Sequence, residues 1–549
     1  MFTFAILIGI YSYLIFLLGV LGFIYRQNIT LLTIIYLAIV LYLYGKKLKM
    51  NLLRSFKTFK KIQKLDVDFF KYNLLTVILL SLFVLQAIIN FIGVLGPELG
   101  FDALWYHLTL PKIYLSNHSI FYIPGGLLYY SVMPKLTEML YVAVLSFDSE
   151  TLAKFIHFSF GILSSVALYK LSRMFFAPKI SLIPVIVFYS NLIVGWQSTT
   201  AYVDLTRTFF EIMAFWGLIN WLNTKKKRWL IGSATMLGLA ISTKLLAIGS
   251  LFIFWVLLIL YFWYRKKSFK NLVIELLVYL FIGLLFPLPW FIFSYIHTGN
   301  PIYPFFTNIY KVNFDVSLLN PSRFLFDTWN LFTRSPDPIP PIYIIFLPLV
   351  IVFFKKFSIQ MKLIVLYSFL GIFVWYFTPR TGGGRFILPY LPALSIVAGG
   401  VIREITKIKN LKTIANLSIF IIFFCSLISI VYRGGANAKY IPVIIGKESK
   451  SEFLTQNLNF SFGDFYDTDG YFKTHIKTKD RVLLYGFHNL YYVDFPFIDS
   501  SWVKKGDRFN YIASQGSSIP SRFSNWHLIY NNSVTRVSIY LKGGEMWEY

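Results

Sequence analysis

The residues best suited to chemistry in this chain are few, and they stand at the ends of apolar runs. Asp102, His107 and Lys112 lie in "GFDALWYHLTLPK", and Lys135 and Glu138 follow in "MPKLTEMLY". Asp204 opens an apolar run in "TTAYVDL", and Lys244 closes one in "ISTKLLAIGS". His297 follows another in "YIHTGNPIYPFF", and Arg380 and Arg385 bracket three glycines in "TPRTGGGRFILPYLP". A carboxylate at such a boundary can accept a proton from an incoming hydroxyl or hold a metal ion. Two arginines around a glycine turn offer forked donors and backbone amides to a phosphate. Each residue also has a plainer role. Asp102 could cap a helix starting at Ala103, the lysines and arginines could snorkel, and His107 and His297 are more often interfacial aromatics than ligands to a metal or substrate.

The elements that must position these residues are membrane helices. Of 549 residues, 56% are hydrophobic and 14% charged, and the mean hydropathy is +0.62, outside the range of soluble proteins. Long unbroken apolar runs point to helices, which satisfy their own backbone groups in lipid, rather than to a barrel. About thirteen segments reach spanning length: 4–24, 30–45, 73–95, 151–171, 180–195, 203–222, 229–247, 248–264, 271–296, 341–355, 361–378, 386–402 and 413–431. The apolar start lacks a basic leader and a small-residue cleavage site, so it reads as a retained helix.

The formal charge of +27 does not point to nucleic acid, because the basic residues fall in short blocks between apolar runs. The blocks at 46–64, 173–179, 225–228, 265–270, 355–362 and 403–412 all land on one side of the predicted spans, which the positive-inside rule makes cytoplasmic. The amino terminus is then cytoplasmic in a multi-pass cell-membrane protein. Residues 1–432 form a polytopic unit with a large first exoplasmic loop at 96–150, and 433–549 form an exoplasmic C-terminal domain. Short strands in "DRVLLYGF", "WHLIYNN" and "RVSIYLKGG" predict that this domain is small and α/β or β-rich. "DFYDTDG" departs from the spacing of a calcium loop and reads as a turn. The single cysteine, Cys425, excludes an internal disulfide or a cysteine-based metal cluster.

With this topology the acids and bases converge on the outer face from five separate loops, as a membrane-embedded active site open to the outside requires. Asp204, Arg207 and Glu211 stand at helical spacing, which permits mutual neutralisation along one face or a path for protons or ions. A lipid or solute transporter is therefore the alternative to an enzyme, although a transporter should carry its polar site near mid-membrane. A non-enzymatic scaffold would leave the convergence unexplained.

The ordered segments "GFDALWYHLTLPKIYLSNHSIFYIP", "MPKLTEMLY", "TTAYVDL", "STKLLAIG", "HTGNPIYPF" and "GGRFILPYLP" resemble membrane glycosyltransferases of the GT-C superfamily. Within it they are similar to the protein mannosyltransferase-like and aminoarabinose-transferase-like branch. The resemblance runs from about Gly96 to Pro392, and collinear order carries it more than any single motif. It implies an all-α polytopic, GT-C-like fold and a sugar donor linked to polyprenyl phosphate, used at the exoplasmic face. It also implies a lipid, glycan or protein acceptor. By resemblance Asp102 is the central acid, Asp204 the later acid, and Lys135, Lys244 and Arg385 the donor-phosphate ligands, beside Arg380 from the glycine turn. Asp102 is followed by Ala103 where many relatives carry an Asp-Glu pair, so two adjacent acids are not available. Chemically, the phosphate is already a good leaving group, so the demands are to stabilise it and to activate the acceptor hydroxyl, with inversion at the anomeric carbon. Asp102, helped by Asp204 or Glu138, suits the second demand. A divalent metal ion near Asp102, Glu138 or a histidine fits the residue types, but no ligand spacing requires one.

Overall fold

The computed structural model describes the chain except for residues 64–66, 267, 310–314, 335–338, 379 and 544, and except for the side chains of 47, 48, 51–63, 67–73 and 380–383. Arg380 and most of the 46–64 basic block therefore lie outside the described side chains.

Apolar runs become helices that stop where the sequence supplies a terminator. Glu150–Ser172 begins at an N-cap, Ser149, whose side chain accepts from the Leu152 amide, which satisfies one of the first-turn donors. Asp204–Thr224 ends at Lys225, in the left-handed conformation. Eight helices among the described residues are long and apolar enough to cross a membrane, and the pair Phe269–Leu285 and Leu288–Thr298, bent by 62°, would make a ninth. The other expected spans differ in kind. Pro178–Tyr189 and Lys227–Thr243 are short, Asp204–Thr224 carries three ionisable residues in its first two turns, and 341–355 breaks into Ile342–Phe346 and Val350–Phe353.

Asp204–Thr224 is the axis of the bundle, buried along nearly its whole length. Its neighbour Lys227–Thr243 approaches closely because Gly217 faces Ser233, where a Cβ would stand 3.0 Å from the Ser233 backbone. The same neighbour meets Phe269–Leu285 at Gly238, where a Cβ would come within 2.7 Å of the Gly283 carbonyl oxygen. The axial helix thus delivers Asp204 to one end of the bundle, and Lys244 lies at the same end, just past Thr243.

The first large loop is folded rather than extended. It contains a π-helical turn at Ala103–His107, helices Thr109–Ser116 and Leu136–Leu145, and a 3₁₀ turn at Tyr129–Val132. Asp102 occupies the N-cap position of the first but makes no side-chain capping bond, so its carboxylate is available to other partners.

The last long helix, Lys412–Ala438, continues past the expected edge at 432. Beyond it lie β1 (Val482–Tyr485), β2 (Phe497–Asp499), β3 (Arg508–Phe509), β4 (Tyr511–Gln515), β5 (His527–Asn532), β6 (Val537–Leu541) and β7 (Trp547–Glu548). Five form a mixed sheet in the order β2-β1-β4-β6-β5, with β1 parallel to both neighbours and the β4-β6-β5 edge antiparallel; β3 and β7 pair separately. β1, β5 and β6 fall in the three segments read as strands. The acids of "DFYDTDG" serve turns: Asp467 accepts from the amides of Phe472 and Lys473, and Asp469 accepts from the Tyr530 hydroxyl.

Candidate active site

One cavity of about 440 Å³ collects the candidate residues; Asp102, His107, Lys135, Glu138, Lys244 and Arg385 all line it. Three parts of the fold build it: the first loop, the axial helix with its neighbour, and the 3₁₀ segment Arg380–Tyr390.

The centre is a chain of alternating charge. Arg385 Nη2 lies 2.8 Å from Asp102 Oδ2, and Arg385 Nε lies 3.9 Å from Asp204 Oδ2. Lys244 Nζ donates to Asp204 Oδ1 at 2.7 Å. Tyr106 OH donates to Asp102 Oδ2 at 3.2 Å, and the Asp102 amide donates to Tyr202 OH at 3.0 Å. The Arg385 guanidinium also lies over the Tyr202 ring, 5.0 Å from its centroid. Burial works against the Asp102 carboxylate, but Arg385, His107 and Lys244 together outweigh it and hold the group below the usual carboxylate range. The same burial pushes the phenols of Tyr106 and Tyr202 well above their ordinary value, so both remain protonated donors.

A second cluster lies on the loop side. His107 Nδ1 is 2.8 Å from Glu138 Oε1, and both side chains are almost fully buried. Lys135 Nζ donates to the carbonyls of Tyr130 and Met133, tying down the 3₁₀ turn, and burial lowers its pKa to about 7 despite nearby Glu138. Tyr130 stacks on Tyr106 at 3.7 Å. Leu245, Leu246, Pro304 and Phe386 add apolar surface to the lining, with the Phe386 ring 5.2 Å from Lys244 Nζ.

Buried groups outside the cavity fix the backbone that carries Asp102. Glu98 Oε1 accepts from the Gly100 amide at 2.6 Å, and Oε2 from the Ala201 amide at 2.6 Å. Lys154 Nζ caps the preceding carbonyls of Gly93, Gly96 and Pro97. On the Asp204 side, His157 Nε2 accepts from the Leu205 amide at 3.0 Å and its Nδ1 is 2.8 Å from the Thr200 carbonyl. Glu98 thus ties the entry to Asp102 to the entry to the axial helix.

Residues 132–293 match the family model for dolichyl-phosphate-mannose-protein mannosyltransferase. No curated protein sequence matches the chain. Among solved structures it is similar to ArnT from Cupriavidus metallidurans bound to undecaprenyl phosphate, with 12% identity over 84% of this chain and 97% of that one, at a TM-score of 0.53. The same protein in its apo state gives 11% identity, the same coverage and a TM-score of 0.52. The chain has a GT-C, ArnT-like fold, that of a multi-pass membrane protein.

Within this GT-C fold the sequence-predicted residues divide cleanly. Asp102, Asp204, Glu138, Lys135, Lys244, Arg385 and His107 come together. His297 does not: it is exposed at the end of Leu288–Thr298, with its ring 4.5 Å from Phe293. Lys112 points to the C-terminal part of the chain, where its Nζ meets Asp494 Oδ1 at 2.5 Å. The Asp204, Arg207 and Glu211 series splits. Asp204 serves the cavity, whereas Arg207 and Glu211 pair at 2.7 Å in the core and are closed off by Ser250, Tyr367 and Tyr390. Among the described residues no group of three or more His, Cys, Asp or Glu side chains could hold a metal ion, and Asp102 and Asp204 are each already paired with a cation. Glu98, Tyr106, Tyr130, His157 and Tyr202 were not foreseen. Glu98 alone had a sequence signal, as an acid in the junction "GPELGFD" between an apolar run and Asp102.

Proposed function

We propose that the chain is a membrane glycosyltransferase that moves a sugar from a polyprenyl-phosphate donor to an acceptor hydroxyl at the exoplasmic face. The observation that carries this reading is the Asp102–Arg385–Asp204–Lys244 chain in a cavity with apolar surface in its lining. A lipid-linked phosphate needs cations beside apolar surface, and this cavity supplies both. The outer-face placement rests on the positive-inside pattern, with the amino terminus cytoplasmic and the sheet-bearing segment outside.

In the mechanism, the donor phosphate engages Arg385 and Lys244, with its polyprenyl chain along Leu245, Leu246 and Phe386. The charge that develops on the phosphate oxygen as the anomeric carbon–oxygen bond breaks falls on donors already in place. Asp102 takes the proton of the acceptor hydroxyl as that oxygen attacks, giving inversion in one displacement. Its side chain is 14% exposed, whereas those of Asp204 and Glu138 are 1% and 4% exposed, so it is the acid an acceptor can reach. Phosphate binding to Arg385 draws that cation away from Asp102 and raises the basicity of the carboxylate when it is needed. Asp204 holds Lys244 and Arg385 in place. The acids are paired with cations rather than arranged as a metal ligand set, and no step is routed through a metal ion.

The test is transfer of radiolabelled sugar from a panel of polyprenyl-phosphate sugars to membrane extract by purified protein. Asp102→Asn is expected to lose about 10²–10⁴-fold in rate while still folding, as checked by a cooperative thermal transition. Full activity in the variant would remove Asp102 from the mechanism. Passage of labelled lipid or solute intact across proteoliposomes, with no sugar transferred, would replace the enzyme with a transporter.

A further inference from the structure

The cavity lining includes a buried pair that the phosphate chemistry does not use. Arg385 and Lys244 present donors to a phosphate. His107 and Glu138, from the first loop, line the same cavity. His107 Nδ1 faces Glu138 Oε1 at 2.8 Å, so the carboxylate takes up one ring nitrogen and Nε2 is left for another partner. Neither His107 Nε2 nor Glu138 Oε2 has a hydrogen-bond partner, although both side chains are more than nine-tenths buried and both line the cavity. Buried polar groups are rarely left without a partner unless something else supplies one. Lys135 does not, because its Nζ donates to the Tyr130 and Met133 carbonyls.

A buried carboxylate oxygen repels a phosphate, and with an unpartnered ring nitrogen beside it calls for a ligand that carries several hydroxyls, which can both donate and accept. The flanking surface agrees: Trp105 stands edge-on to Tyr130 at 5.1 Å, and Tyr130 is stacked on Tyr106. Their rings give the apolar lining against which the carbon–hydrogen face of a pyranose can rest. On the function proposed above, we infer that His107 Nε2 and Glu138 Oε2 bind hydroxyls of the transferred sugar and set which sugar is accepted. The donor then lies across the cavity, with its phosphate at Arg385 and Lys244, its sugar at His107 and Glu138, and its anomeric carbon between them near Asp102.

The inference is tested by binding rather than turnover, using polyprenyl monophosphate without a sugar beside polyprenyl-phosphate mannose, glucose and galactose. Wild type is expected to prefer one sugar-bearing lipid over the bare phosphate. Glu138→Gln and His107→Asn are expected to reduce that preference by about tenfold or more while binding the bare phosphate as wild type does. Retention of the preference in a variant that still binds bare phosphate overturns the inference. So does a wild type with no preference, or loss of bare-phosphate binding in both variants, which would make the pair a support of the whole site. If wild type binds neither kind of lipid, the proposed function itself fails, and that result is distinct from the others.

Discussion

At the scale of residues, the arrangement turns on one arginine serving two acids. Arg385 contacts Asp102 and approaches Asp204, so in the proposed mechanism it both receives the donor and sets the basicity of the proton acceptor. Arg385→Gln removes the largest charge holding Asp102 ionised. The acid limb of the kcat/KM–pH profile is expected below the ordinary carboxylate range in the wild type and is expected to move upward in the variant, so that activity disappears at a higher pH. An unmoved limb would assign it to another group. Lys135 gives an independent check on stability. Its pKa in the folded protein is about 7, below the ordinary lysine value of about 10.4, so between these values the unfolded chain binds the extra proton. Its contribution therefore makes stability rise as pH increases through that window. Thermal unfolding in detergent at about pH 7.5 and about pH 9.5 should show this rise in wild type and a smaller one in Lys135→Met.

At the scale of elements, close helix approach places the cations. Lys244 is where it is because Lys227–Thr243 packs against both the axial helix and Phe269–Leu285. The second contact exists only because Gly238 lets the Gly283 carbonyl come within Cβ range. Gly238→Val forces a backbone apart rather than a flexible side chain, with an expected cost of about 1–3 kcal/mol. The displaced helix should also weaken binding of polyprenyl monophosphate, as measured beside the unfolding midpoint. Wild-type values for both would show that the helices have slack at this crossing. The π-helical turn at Ala103–His107 has a related consequence. Its wider winding leaves Asp102 without a capping bond and aims His107 at Glu138, a geometry that an α-helical reading of the same residues did not contain.

At the scale of the whole molecule, the C-terminal part and the first loop are locked together. Lys112 Nζ donates to the Tyr491 and Val493 carbonyls and to Asp494. Tyr492 OH donates to the Glu98 carbonyl and to Glu150, each at 3.0 Å. The segment 491–494 thus holds the same loop that carries Asp102 and contains Glu98. Lys112→Met combined with Tyr492→Phe is expected to raise hydrogen exchange and proteolytic cutting across residues 100–118 in the full-length protein. Transfer should fall while binding of bare polyprenyl phosphate at Arg385 and Lys244 changes little. If exchange rises only within the sheet, the loop is held by the membrane helices alone.

The sequence by itself determined the membrane class, the short strands β1, β5 and β6, and most of the charged residues that line the cavity. These are decided locally: by apolar run length, by strand alternation, and by the cost of leaving ions at a lipid boundary without a use. It did not determine which helices are long enough to span. Burial against neighbours lets helices such as Asp204–Thr224 and Lys227–Thr243 be polar or short in ways that a hydropathy reading treats as equal to lipid-facing spans. Nor could it separate His107 from His297, or Lys135 from Lys244, since each pair has the same residue type at the same kind of boundary. Only the tertiary structure did so. It paired His107 with Glu138, left His297 exposed, spent Lys135 on two carbonyls and set Lys244 against Asp204. The pairings of His107 with Glu138 and of Lys244 with Asp204 join residues 31 and 40 positions apart, and no local pattern encodes them.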